Sequence, residues 1–164
     1  MKLINRSLCL IGMICLLASC SADPETEVLE TVNLESHFEL AQDQQFANEV
    51  LDVINEHRSQ LGLSDLQLHV ASEDKAIEHT AYMVEQNKMS HDNFFHRSDY
   101  LKSKGADKVS ENVAYGQRTP EAVVAAWLKS PSHKEAIESD FTHTGIGVIS
   151  NKNGINYYTQ IFIK

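Results

Sequence analysis

The chain has 164 residues and a formal net charge of −9, with 23 acidic residues against 14 lysines and arginines. So acidic a protein has no general electrostatic attraction for nucleic acid, which we therefore exclude as a partner. The length is sufficient for one domain of ordinary size, large enough to bury a hydrophobic core.

Residues 1–19 have the pattern of a bacterial lipoprotein signal peptide. A positively charged start precedes an apolar run from Leu8 to Leu17. This run is shorter than the about 20 apolar residues that a membrane-spanning helix needs. Leu17-Ala18-Ser19-Cys20 then fits a lipobox, so we expect Cys20 to become the lipidated first residue of the mature chain. The alternative is an ordinary secretory signal that happens to end near a cysteine.

The cysteines agree with export to the cell envelope. Cys9, Cys15 and Cys20 all lie within the first 20 residues. The mature domain therefore has no disulfide and no free thiol, which excludes cysteine nucleophiles and thiolate metal sites. Residues 20–42 carry a cluster of acidic residues, typical of a solvated tether between membrane and domain. We expect a protein anchored to a membrane through Cys20 and facing away from the cytoplasm.

Apolar residues at helical spacing predict four helices in the remaining chain, with glycine or proline at most of their ends. The predicted helices are Asp43–Leu61, Ser72–Asn87 with Ser72 as N-cap, Phe94–Lys104 with Gly105 as a left-handed cap, and a helix that Pro120 starts and Pro131 breaks. Trp127 belongs to the buried stripe of the last of these helices.

The β-rich segments come later in the chain. Residues 109–115 favour a half-buried strand, and Gly116 permits the turn that ends it. Two further β-rich runs, 145–149 and 155–163, flank Asn153-Gly154, which is a strong signal for a hairpin turn. Helices followed by a closing hairpin predict an α+β layered domain over residues 43–164.

Three segments of this domain resemble the CAP superfamily, which comprises cysteine-rich secretory proteins, antigen 5 and pathogenesis-related protein 1. They are Ser90-His91, Ser110-Glu111-Asn112-Val113-Ala114-Tyr115-Gly116 and Trp127-Leu128-Lys129-Ser130-Pro131-Ser132-His133. The chain is most similar to the short bacterial, SCP-like members. The resemblance implies a three-layer α-β-α sandwich.

Spacing alone does not bring His91, Glu111 and His133 together, because roughly twenty residues separate each from the next and none belongs to a local metal-binding motif. The resemblance implies that they line a central cleft, in which the two histidines bind a divalent cation in several members. Two neutral imidazoles suit zinc or a similar cation and leave coordination positions for water or a ligand. Glu111 could ligate the cation directly or orient one of the imidazoles, and it would accept a proton from bound water as the general base if the protein is an enzyme.

Three further residues belong to the predicted cleft. Asn112 is expected to hold the backbone, and His96 to lie at the edge of the cleft a few positions after His91. Ser130 stands where plant and animal members of the superfamily carry a second glutamate. A serine cannot replace a carboxylate as a base, although it can hydrogen-bond water. Arg97 is expected to form a buried salt bridge.

The remaining histidines are interpreted mainly as structural. His57 and His79 lie on predicted helices beside apolar stripes and are expected to be interior or boundary residues. His37 and His69 are expected at the surface, and His143 is left open between a structural and a site role. None of the five lies in a motif that assigns it to a metal or catalytic site.

Three functions are consistent with this sequence. The first is a lipid-anchored binding protein whose cleft holds a divalent cation and a small ligand, a cell-wall fragment or a protein partner. The second is a metal-assisted hydrolase or peptidase with Glu111 as general base and His91 and His133 as metal ligands. The missing second glutamate and the lack of an obvious oxyanion donor weigh against it. The third is a structural or interaction lipoprotein with a vestigial cleft, because fold does not decide function.

Overall fold

The computed structural model describes residues 41–164. The predicted signal peptide, Cys20, His37 and the tether up to residue 40 lie outside the described residues. In chain order the elements are α1 (Gln44–Gln60), β1 (Gln67–Leu68), α2 (Val70–Glu85), α3 (Phe94–Ser103), β2 (Val109–Tyr115), α4 (Pro120–Lys129), α5 (Pro131–Glu138), β3 (His143–Ser150) and β4 (Asn156–Ile163). Within this part of the chain, no helix is both long and apolar enough to cross a membrane.

The four strands form one mixed sheet with helices on both faces. Its order is β1-β3-β4-β2, with β1 parallel to β3 and the other neighbours antiparallel. Tyr158 and Phe162 of β4 pack into the cluster that contains α1, α4 and α5. Tyr157 and Ile161 point to the opposite face, where they meet residues of α2 and α3. This arrangement confirms the predicted α+β fold as a three-layer α-β-α sandwich.

Helix α2 lies unusually close to β3 because β3 carries two glycines on that face. A Cβ atom added to Gly145 would lie 2.0 Å from the backbone nitrogen of Glu73. One added to Gly147 would lie 2.6 Å from the backbone oxygen of Ala76. Side chains at these two positions would therefore push the helix away from the sheet.

The start of α2 differs from the prediction. The helix begins at Val70, and His69 rather than Ser72 is its N-cap, because the Nδ1 atom of His69 accepts a hydrogen bond from the backbone N–H of Ser72. Ser72 itself is buried in the first turn. His69 is half-buried and has this capping role, so the expectation of a plain surface histidine was wrong.

The predicted C-terminal ends of α1 and α3 agree with the structure to within one residue, whereas α2 ends at Glu85, two residues before the predicted Asn87. Gly62 and Gly105 have φ angles of +73° and +105°, which places each in the left-handed region one residue after the C-cap. The backbone N–H of Ala106 also bonds to the oxygen of Leu101, and that of Gly105 to the oxygen of Lys102, which completes a Schellman motif after α3.

Pro131 has a second role that the sequence interpretation missed. It ends α4 as predicted, but it is also the first residue of a separate helix, α5. Ser130 between the two helices has the extended conformation (φ −93°, ψ 120°) that a following proline favours. Proline is well suited to a first helical turn because its missing N–H would have no partner there. His133 therefore lies in the first turn of α5.

Candidate functional site

Strand β2 is at the edge of the sheet, and two consecutive residues of it hold histidines from opposite layers. Successive side chains of a strand point to opposite faces. Glu111 accepts a hydrogen bond of 2.9 Å from Nδ1 of His91, which lies just before α3. Asn112 donates a hydrogen bond of 3.1 Å to the backbone oxygen of His133, on α5. The rings of His91 and His133, called here the histidine pair, have centroids 6.3 Å apart.

The Glu111 carboxylate is buried and fully engaged by donors. Arg97 of α3 donates from Nε to Oε2 at 2.8 Å and from Nη2 to Oε1 at 3.0 Å. Arg97 also donates from Nη1 to the backbone oxygen of Asp92 at 2.8 Å, which holds the segment that carries His91. The side chains of Arg97 and Glu111 are 9% and 1% exposed. The prediction of a buried salt bridge for Arg97 is confirmed.

His79 supports the same cluster from α2. Its Nε2 atom lies 2.8 Å from the backbone oxygen of Ser90, so it must donate, and 4.0 Å from Oε1 of Glu111. The imidazole also stacks on Tyr82 with ring centroids 5.8 Å apart. Burial lowers the pKa of His79, which keeps it neutral at pH 7. The expectation of an interior histidine is confirmed, and its hydrogen bond also holds Ser90-His91 in place.

The contacts of the histidine pair determine which ring nitrogen of His91 is hydrogen-bonded. Because the Glu111 carboxylate can only accept, Nδ1 of His91 carries the proton, and Nε2 is the free nitrogen of the half-exposed ring. Burial is the main cause that lowers the pKa of His133, and the nearby His91 lowers it further. His133 is therefore neutral at pH 7 and offers an imidazole lone pair beside the His91 ring.

The histidine pair has some of the features of a divalent-cation site. A carboxylate that holds the second ring nitrogen of a histidine is the usual support of a metal ligand. Two imidazoles on one tetrahedral zinc have centroids roughly 5 Å apart, given Zn–N bonds of about 2.0 Å. Within residues 41–164, no group of three or more His, Cys, Asp or Glu side chains is arranged to hold a metal ion. With centroids 6.3 Å apart, the pair could therefore supply two protein ligands, and water would have to complete the coordination.

The backbone of Glu111 is a further feature of the site. Backbone hydrogen bonds join Lys108 to Lys164 and Gly116 to Asn156 at the two ends of the β2–β4 ladder. Antiparallel pairing alternates, so the odd-numbered residues of β2 direct their N–H and C=O groups to the free edge. Glu111 is 8% exposed although its side chain is only 1% exposed, so its exposed surface is mostly main chain.

The same alternation accounts for the environment of Trp127. Its indole N–H donates to the backbone oxygen of Val113, two residues along β2, at 3.0 Å. Trp127 is buried in the main core, as predicted. This bond closes one end of the free edge of β2 and leaves the edge beside Glu111 without a partner among the described residues.

Ser130, His96 and His57 make no hydrogen bond with the histidine pair within residues 41–164. Ser130 lies at the junction of α4 and α5, with its hydroxyl 3.4 Å from that of Ser132. His96 is exposed and lines a groove of ≈180 Å³ between α2 and α3, which Arg97 and His79 also line. His57 is a boundary residue, as expected, and is paired with Glu138 on α5 at 2.8 Å.

Sequence reasoning missed that His79 and Arg97 converge on Glu111. The three residues come from α2, α3 and β2, and no local pattern links them. The sequence places Arg97 six residues after His91, which suggested a buried salt bridge near the site. It did not identify Glu111 as the partner of Arg97.

Comparisons with known proteins identify relatives of this chain. The sequence model of the CAP family, described as the cysteine-rich secretory protein family, matches residues 51–162. The chain is 32% identical over 123 residues to the uncharacterized protein YkwD of Bacillus subtilis (strain 168). That alignment covers 72% of this chain but only 47% of the relative, so the chain spans about half the length of that protein.

Two solved structures have the same fold. An outer surface protein from Borrelia burgdorferi superposes with a TM-score of 0.68 at 25% identity, over 76% of this chain and 96% of that chain. An extracellular protein with an SCP domain from Bacillus anthracis str. Ames gives a TM-score of 0.64 at 29% identity, over 73% of this chain and 40% of that chain. Both structures are thus described as proteins that lie outside the cytoplasm.

Proposed function

Since this chain belongs to the cysteine-rich secretory protein (CAP) family, we propose that it is a lipid-anchored envelope protein whose cleft at the edge of β2 binds a divalent cation and a small ligand or a protein partner. The observation that carries the proposal is the hydrogen bond from Nδ1 of His91 to the buried Glu111, because it directs the free Nε2 lone pair outward. The extracellular description of the structural neighbours supports the location.

His91 and His133 are the residues that would hold the cation. When bound, a cation such as zinc would supply a Lewis acid with open positions for a ligand oxygen or nitrogen. Glu111 orients His91, Arg97 fixes Glu111, and Asn112 holds the backbone of His133. The outward N–H and C=O groups of Glu111 offer a ligand two hydrogen-bond partners beside the histidine pair.

The geometry favours binding over hydrolysis. A general base needs a carboxylate oxygen that is free to take a proton. Both oxygens of Glu111 already accept hydrogen bonds, from Arg97 and from His91. Proton transfer to Glu111 would break a buried ion pair, so the carboxylate is better suited to positioning His91 than to catalysis.

Zinc titration calorimetry tests the site. We expect residues 21–164 to bind Zn²⁺ with a dissociation constant below about 10 μM, equal to about −7 kcal/mol. The double variant His91→Ala/His133→Ala should lose this binding. The matched control His96→Ala removes an exposed imidazole outside the pair and should bind as the original protein does. Equal zinc binding in the double variant, or none in any of them, would make the histidine pair structural and favour the vestigial-cleft hypothesis.

Membrane attachment is tested separately at Cys20. Cells that express the full chain should incorporate labelled fatty acid into the protein, and Cys20→Ser should abolish the label and release the protein from the membrane fraction. Equal labelling of the Cys20→Ser variant would refute the anchor and would leave the zinc result unaffected.

A further inference from the structure

A second cavity, which shares no residue with the histidine pair, has a composition unlike that of the chain as a whole. It has a volume of ≈240 Å³ and lies where the start of α2, the end of α3 and the start of β3 meet. Its polar lining comprises His69, Lys104, Thr142, His143 and Lys164. No Asp or Glu side chain is among its lining residues, although the chain carries 23 acids.

The capping role of His69 fixes which of its nitrogens carries the proton. Nδ1 accepts a hydrogen bond of 3.2 Å from the backbone N–H of Ser72. A ring nitrogen that accepts a hydrogen bond cannot itself carry a proton. In neutral His69 the proton is therefore on Nε2. This nitrogen is a hydrogen-bond donor, and it could bind a metal ion only if the cap were lost.

The neighbouring polar groups include two lysines and a second histidine. Nδ1 of His143 is hydrogen-bonded to the Thr142 hydroxyl at 2.9 Å, which leaves Nε2 as the free nitrogen of that ring. The two rings are 6.1 Å apart and edge-on. Lys104 contributes an ammonium group, which also lies 5.6 Å from the ring centroid of Tyr100, whereas the ammonium group of Lys164 is already paired with Asp140.

From this arrangement we propose that the cavity binds a small oxyanion, meaning a carboxylate or phosphoryl group. His69 Nε2–H and the Lys104 ammonium are the principal donors, and the free Nε2 of His143 lies beside them. Charge-assisted hydrogen bonds, in which the donor or the acceptor is ionised, are stronger than bonds between neutral groups. Buried Leu101 and Ile163 form an apolar wall beside these donors, which suits an anion that carries a small apolar body. The site is independent of the zinc proposal, since it shares no residue with the histidine pair.

Titrations with sodium phosphate and sodium acetate, each followed by NMR of the histidine side chains, test this proposal. Sodium chloride at matched ionic strength is the control for screening. We expect saturable shifts of the His69 and His143 resonances with at least one of the two oxyanions and none with chloride. Binding of phosphate alone would identify a phosphoryl site, and binding of acetate alone would identify a carboxylate site.

Three variants assign the binding to these donors. Lys104→Gln removes the ammonium group, while Lys102→Gln is the matched control, an exposed lysine on the same helix that does not line the cavity. His69→Asn removes the Nε2–H donor but keeps a residue that caps helices well. We expect Lys104→Gln and His69→Asn each to weaken oxyanion binding about tenfold and Lys102→Gln to leave it unchanged. Shifts that do not saturate, or equal weakening by Lys102→Gln and Lys104→Gln, would overturn the proposal.

Discussion

Replacing Glu111 with glutamine would leave the Arg97 guanidinium buried without its counter-charge. The two side chains are 1% and 9% exposed and share two hydrogen bonds of 2.8 and 3.0 Å. Removal of one partner from a buried ion pair destabilises a protein by about 3–5 kcal/mol, because the remaining charge has lost both water and its partner. We therefore expect Glu111→Gln to lower the free energy of unfolding by about this amount.

A double-mutant cycle separates the ion pair from the packing of its side chains. Arg97→Met alone leaves the Glu111 carboxylate buried without its main partner, so it should also be strongly destabilising. The double variant Arg97→Met/Glu111→Gln contains no unpaired buried charge. It should therefore be more stable than the sum of the single effects predicts, by about 2 kcal/mol or more.

Urea unfolding at pH 7, followed by fluorescence, is the assay. Trp127 is the only tryptophan of the chain and is 1% exposed, so its emission reports the loss of the core directly. The exposed pair of Lys75 and Glu78 serves as a matched control and should give a coupling energy below about 1 kcal/mol. If Glu111→Gln costs less than about 1 kcal/mol, or if the cycle is additive, the Arg97–Glu111 pair does not hold the site as argued.

Three further predictions concern the framework of the site. Gly145→Ala should destabilise the fold by about 3 kcal/mol or more in urea unfolding, because the added methyl group meets the backbone of α2; a loss below about 1 kcal/mol would refute the close approach. Trp127→Phe should cost about 1–3 kcal/mol, measured by circular dichroism, because the buried oxygen of Val113 loses its donor; no loss would contradict this. Burial lowers the pKa of His79 below the ordinary value near 6.5, so the folded protein binds a proton at this residue less readily than the unfolded chain does. The contribution of neutral His79 to folding stability is therefore fully present above about pH 6.5 and is lost as the pH falls toward the lowered pKa. The urea concentration at the unfolding midpoint, measured between pH 5 and 8, should decrease below about pH 6.5 in the original protein and decrease less in His79→Gln. If the midpoints of the two proteins depend on pH in the same way, His79 does not have the lowered pKa.

Local patterns were sufficient for most of the elements. The 3.6-residue apolar period, the glycine caps and the hairpin signal each depend on a few neighbouring residues, so α1, α3, β2 and the β3–β4 hairpin were predicted close to their observed bounds. The errors lie where local chemistry allowed two outcomes. By residue type Ser72 is a better N-cap than His69, and only the packing of Gly145 against the first turn of α2 explains why Ser72 is buried inside the helix.

The sequence by itself therefore determined the fold class and the family, and it singled out His91, Glu111 and His133 through the resemblance. Only the tertiary structure decided which groups Glu111 contacts. Its carboxylate is engaged by Arg97 and His91 and lies close to His79, groups that come from separate elements and converge because β2 is the edge strand between two helical layers. Ion pairs between residues far apart in the sequence produce no periodic sequence pattern. A glutamate that is solvated and a glutamate that is buried beside a guanidinium cannot be distinguished from the sequence alone.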